Sequence, residues 1–89
     1  MTLEEARLAL DRIDAQIAQL FYERMGVVDQ IAQIKKDCAA PVHRPDREKQ
    51  VTDRLMEICG PEYSKELLSL YERVFEVSRK RQTELMDKR

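Results

Sequence analysis

Tryptophan is absent from these 89 residues, histidine occurs once, and there are only two glycines and two cysteines. One histidine, His43, cannot furnish a Ser-His-Asp or Cys-His set from its proline-flanked loop, so covalent hydrolytic catalysis has no basis here. Cys38 and Cys59 are too few for a disulfide framework and are not spaced as a metal clip; two reduced thiols are expected. No glycine-rich loop is available to cradle a phosphate, and neither a metal nor a cofactor is implied. No apolar run approaches a membrane span, and the N-terminus lacks the basic start and apolar stretch of a signal peptide, so a cytoplasmic chain without a membrane partner is expected. A formal net charge of -1 leaves no general basic face for nucleic acid. It leaves room for a local basic pocket.

Charged residues make up 37% and hydrophobic ones 43%, with three prolines, which fits one small, mainly helical domain over residues 1–89. The pattern predicts an all-α chain of three helices: a long first, a short second and a long third. Helix 1 is expected over about residues 3–36, opened by Thr2 and Glu5 as a capping box. A loop from Asp37 to Arg44 follows. Pro45 then starts helix 2 where its missing N–H costs nothing, and Gly60-Pro61 ends it. Its apolar face is Val51, Leu55 and Ile58. Helix 3 runs from near Ser64 to about Met86, with Leu67, Leu70, Tyr71, Val74, Val77 and Leu85 inward.

Helix 1 carries the most informative irregularity. Steps of three and four lead from Leu3 through Ala6, Leu10, Ile13, Ile17, Leu20, Arg24, Val27 and Ile31 to Ile34, and Arg24 is the one position that is not apolar. A guanidinium on the inner stripe of a helix is costly unless it is paired or awaits an anion. Lys35, eleven residues later, returns to nearly the same angle, since eleven residues are close to three turns. Two cations facing one helical interior read as a receptor for a small anionic molecule. The helix is also too long for its own chain. At roughly 50 Å it overhangs anything a globule with a radius of gyration of about 12 Å can cover, so an intertwined homodimer is expected.

The other helices add polar groups to the same interior. Ser78 and Gln82, four apart on helix 3, supply neutral hydrogen bonds from an apolar stripe. Glu48, three before Val51 and seven before Leu55, points inward from helix 2, and Arg47 beside it reaches the rim. Singly, each has a structural explanation: a register-setting arginine in a coiled-coil seam, or a satisfied core network. Together they are harder to dismiss as structural, because an uncompensated pair of cations has no structural benefit. Gly26, mid-helix, either permits a close backbone approach near Arg24 or is tolerated. Such a set would work by positioning and electrostatics, without a covalent intermediate.

Arg7, Asp14, Arg24, Lys35, the Arg47-Glu48 pair, Ser78 and Gln82 stand at the spacings of a known family. With these eight positions in register across three helices, the chain resembles the all-helical class of chorismate mutases over nearly its whole length. The resemblance implies an interlocked dimer with two equivalent sites, where the dicarboxylate chorismate rearranges to prephenate on the way to phenylalanine and tyrosine. By similarity, Arg24 clamps one carboxylate and Arg47 helps hold the substrate. Lys35 and Gln82 donate to the ether oxygen whose bond to carbon breaks, Glu48 accepts from the ring hydroxyl, and Ser78 contacts a carboxylate. Arg7 enters from the other subunit, which helix geometry supports: seventeen residues separate it from Arg24, roughly 25 Å along one helix. Asp14 reads as structural, pairing across the dimer. One position departs from the family. Where well-known members carry a carboxylate four residues before the glutamate, this chain has Arg44, so either Glu48 works alone or Arg44 adds a cation at the pocket mouth.

Other readings differ in what they predict. An isochorismate-pyruvate lyase also grips a dicarboxylate with arginines and a lysine, but the Arg47-Glu48 and Ser78/Gln82 pairs favour the mutase. A regulatory module would bind chorismate or prephenate without turnover. A helical dimerisation module would bind neither. Docking of a weak dimer on another aromatic-pathway enzyme is a further possibility, for which the basic run Arg79-Lys80-Arg81 gives no evidence; it reads equally as a solvated face.

Overall fold

A computed structural model describes residues 1–87 and consists of three helices joined by short connections: α1 (Leu3–Cys38), α2 (Pro45–Cys59) and α3 (Ser64–Asp87). Each boundary has a local cause. The Thr2 side chain accepts from the Glu5 N–H at 3.1 Å while the Glu5 carboxylate accepts from the Thr2 N–H at 3.2 Å, which closes the expected capping box. Lys35 and Lys36 sit in the last turn of α1, where the dipole favours cations. That helix runs two residues past its expected end and stops at Ala39, which takes the left-handed conformation (φ 55°) and donates its N–H to the Lys35 carbonyl. Pro45 occupies the start of α2, and Gly60, at φ 81°, ends it.

α1 dictates the shape. Its 36 residues should extend roughly 54 Å, and the longest dimension of the chain is 53 Å. The radius of gyration is 16.1 Å, against about 12 Å for a compact chain of this length. The third helix lies along the C-terminal part of α1, and α2 lies against α3. From Leu10 to Glu23 every residue of α1 is exposed.

Consequently the chain has almost no core of its own. Among the described residues only Val28, Ala32, Ser78 and Gln82 are buried. The large apolar residues of the expected seam stay uncovered: α3 covers the flank bearing Val28 and Ala32, one position beyond the seam residues Val27 and Ile31, and those two stay exposed. Leu20, Ile17, Leu10 and Ile34 are exposed as well. An apolar stripe this wide exceeds what one neighbouring helix can bury. Two inward assignments need correction. Ile58 is 68% and Leu70 57% exposed, whereas Val51, Leu55 and Met56 of α2 are half-buried.

The α1–α3 contact is fastened by polar groups. Arg81 donates to both oxygens of Asp29, at 2.8 and 3.0 Å. This fork-to-fork geometry holds the Asp29 carboxyl below its ordinary value, the hydrogen bond from Arg81 being the main cause. Tyr71 and Phe75 meet edge to face, with centroids 5.6 Å apart, on α3.

Candidate active site

Between the three helices lies a cleft of about 420 Å³, and most of the residues singled out from the sequence line it: Arg24, Lys35, Arg44, Arg47, Glu48, Ser78 and Gln82. Arg7 does not. It is exposed near the start of α1, far along that helix from Arg24. Asp14 is likewise exposed and outside the cleft.

Two hydrogen-bonded pairs organise the floor. Arg24 Nη1 donates to Ser78 Oγ at 2.6 Å, and that hydroxyl donates its own hydrogen bond to the Val74 carbonyl at 2.8 Å. The Ser78 proton is thereby committed to the backbone, so the serine orients the guanidinium. Three further Arg24 donors on Nε and Nη2 remain for a planar anion. In the second pair Lys35 Nζ donates to Gln82 Oε1 at 2.9 Å and to the Val42 carbonyl at 3.0 Å. An ammonium has three donors, so one is left over. Holding the Gln82 carbonyl oxygen also dedicates its Nε2 amide to donation. Ser78 and Gln82 are buried, and no buried side-chain nitrogen or oxygen among the described residues lacks a partner. Deleting Lys35 would orphan the buried Gln82 carbonyl oxygen, at a cost of about 1–3 kcal/mol, whereas Ser78 would keep its bond to Val74 without Arg24.

The walls set the electrostatics. Five cations (Arg24, Lys35, Arg44, Arg47 and Arg79) and two carboxylates (Asp46 and Glu48) line the cleft, an excess of three positive charges. Lys35 titrates below an ordinary lysine, first because burial disfavours its charge and then because Arg44 repels it; Glu48 partly opposes both. Arg44 stands at the N-cap of α2 without capping it. Its guanidinium instead reaches Asp46 at 3.3 Å, so this cation is partly neutralised at the mouth. His43, in the connection before α2, approaches Glu48 to 3.9 Å.

Arg79 was not anticipated as a site residue. Its Nη1 lies 2.7 and 2.5 Å from the two oxygens of Glu48, bridging α3 to α2 at the cleft wall. In the sequence it stands within Arg79-Lys80-Arg81, which resembles a solvated face. The available signal was its position between Ser78 and Gln82, on the flank of the stripe that both occupy. No group of three or more metal-ligating side chains occurs among the described residues. What the cleft can do is grip an anion with two or more negative charges, and present preoriented donors to a second point on it.

Relatives point the same way. The chorismate mutase type II family matches residues 6–83. The chain is 37% identical over 57 residues to a chorismate mutase of Methanocaldococcus jannaschii, an alignment covering 64% of this chain and 58% of that protein. It is 33% identical over 70 residues to a bifunctional chorismate mutase/prephenate dehydratase of Aquifex aeolicus, covering 74% of this chain and 19% of that protein. The chain thus spans little more than half of the first relative and a fifth of the second. No solved structure matches it. Three helices, a cationic cleft and a family match over nearly the whole length lead to one conclusion: the chain belongs to the chorismate mutase type II family.

Proposed function

We propose that the chain, as one domain over residues 1–89, rearranges chorismate to prephenate for phenylalanine and tyrosine biosynthesis, and that it does so as an intertwined homodimer. The observation that carries the reading is the pairing of Arg24 with Ser78 and of Lys35 with Gln82 in one cleft with excess positive charge. A unimolecular rearrangement needs no acid, base or nucleophile. It needs a flexible dicarboxylate held in its reactive shape, and donors where negative charge develops. Arg24 and Arg47 would hold the carboxylates. The free Lys35 donor and the Gln82 amide would meet the ether oxygen as its bond to carbon breaks, in a site where they cost no reorganisation. Glu48 would accept from the ring hydroxyl, with Arg44 adding positive potential at the mouth.

Dimerisation follows from what one chain leaves undone. The N-terminal part of α1 has no cover, and its apolar stripe stays exposed from Leu3 to Ile34. In an antiparallel pair of long helices, Arg7 of one chain reaches the cleft of the other. That gives the exposed arginine a role its own chain cannot. A cytoplasmic setting belongs to the same reading: Cys38 and Cys59 are both free and exposed, which suits a reducing compartment. Among the described residues, no helix is long and apolar enough to cross a membrane.

The test is the disappearance of chorismate with purified protein, with the product identified. Prephenate formed far faster than spontaneously, and lost in Arg24→Ala, is the expected result. Absence of turnover together with a thermal shift by a bicyclic transition-state mimic would instead indicate a sensor. Absence of both would leave a helical dimerisation module.

A further inference from the structure

The second helix is held to the rest of the chain by very little. None of its residues is buried, and of the other two helices its backbone comes close to α3 alone. Among the described residues, one side-chain hydrogen-bonded link joins those two helices, and it is the contact of Arg79 with Glu48. That same α2 turn carries Arg47 and Glu48 to the wall of the cleft.

From this geometry we infer that Arg79 is a positioning residue of the site: it fixes the Glu48 carboxylate, and with it the first turns of α2, over the cleft. The inference rests on the mutase reading for its catalytic consequence, but not for the latch itself.

Three features support it. A single nitrogen lies between both carboxylate oxygens, which restrains rotation of the carboxylate as well as its position. A carboxylate accepts at about four lone-pair sites, so this contact leaves both oxygens able to accept from a hydroxyl. The pair is partly withdrawn from water, with 29% of the Arg79 and 23% of the Glu48 side chain exposed, unlike the Lys49–Asp53 pair on the outer face of α2, which lies in the regime where ion pairs contribute little. The other neighbours of Glu48 do not replace it. His43 is 3.9 Å away, and Arg44 is occupied by Asp46. Without Arg79, Glu48 and Arg47 would move together with the turn that bears them, and displacements of about 1 Å at a reacting centre can cost about 100-fold in rate.

Turnover and hydrogen exchange test the inference together, on the intact chain. In Arg79→Ala we expect kcat/KM to fall about 10- to 100-fold, and backbone amides of α2 to exchange faster while those of α1 and α3 are unchanged. Arg79→Lys, which keeps one cationic nitrogen, should recover much of both. On a Glu48→Ala background Arg79→Ala should lower kcat/KM no further, because nothing remains to be positioned. Wild-type kcat/KM in Arg79→Ala, effects that add fully to those of Glu48→Ala, or unchanged α2 exchange would each overturn the inference. A wild-type protein without turnover would remove the mutase reading, and the exchange arm would still decide whether Arg79 latches α2.

Discussion

Leu20 is the sharpest probe of the exposed stripe on α1. A single chain leaves it 63% exposed, and full burial of a leucine side chain is worth about 1.5–3 kcal/mol. Covering the exposed fraction therefore contributes about 1–2 kcal/mol per chain, and two-fold symmetry doubles this to about 2–4 kcal/mol per dimer. Leu20→Ala should raise the dimer Kd by about 30- to 700-fold, which sedimentation over a dilution series resolves. Tyr22 is the matched control. It is more exposed, at 78%, but sits two residues on, about 200° around the helix and away from the stripe. Tyr22→Ala should leave Kd unchanged. A wild-type chain that sediments as a monomer, or equal weakening by both substitutions, would refute the assignment of this face to a second chain.

Other perturbations separate the roles within the cleft. Lys35→Ala should lower turnover about 10²- to 10³-fold with the fold intact by circular dichroism; normal turnover would remove Lys35 from the chemistry. The pH profile tests its environment. Deprotonated Lys35 keeps two N–H donors, both already committed to Val42 and Gln82, and burial and the Arg44 charge lower its pKa, so activity should fall on the alkaline side before an ordinary lysine titrates. Arg44→Gln removes the repulsion and should move that limb to higher pH; movement to lower pH would contradict the stated cause. Gly26 lies about 200° from Arg24, and a Cβ there meets nothing within 4 Å. Gly26→Ala should therefore stabilise by about 0.5–1 kcal/mol, seen as a higher denaturant midpoint at unchanged slope.

What the sequence disclosed follows from which interactions are local. The capping box at Thr2, Pro45 at the start of α2 and the stop at Gly60 are short-range, and all stand where the pattern put them. Helical periodicity also placed Arg24, Lys35, Ser78 and Gln82 on inward faces, because it reports which side chains share an angle. It could not report which neighbour covers each flank. That is why Val28 and Ala32 are buried in place of Val27 and Ile31, and why Ile58 and Leu70 are exposed. Arg79 and Arg81 were illegible for a related reason. Their partners, Glu48 and Asp29, lie 31 and 52 residues away, and in a basic run they look like solvated charges.

A site completed by a second chain is tested most directly by mixing two crippled proteins. Arg7→Ala removes the residue proposed to serve the neighbour's cleft, and Lys35→Ala removes one proposed to serve its own. Each homodimer should be nearly inactive. After unfolding and refolding together in equal amounts, half the dimers are mixed, and each mixed dimer has one intact cleft served by an intact Arg7. Prephenate formation should return to about a quarter of the wild-type rate. If the mixture stays as inactive as its parents while mixed dimers are present, Arg7 does not act across the interface and the two-chain site is wrong.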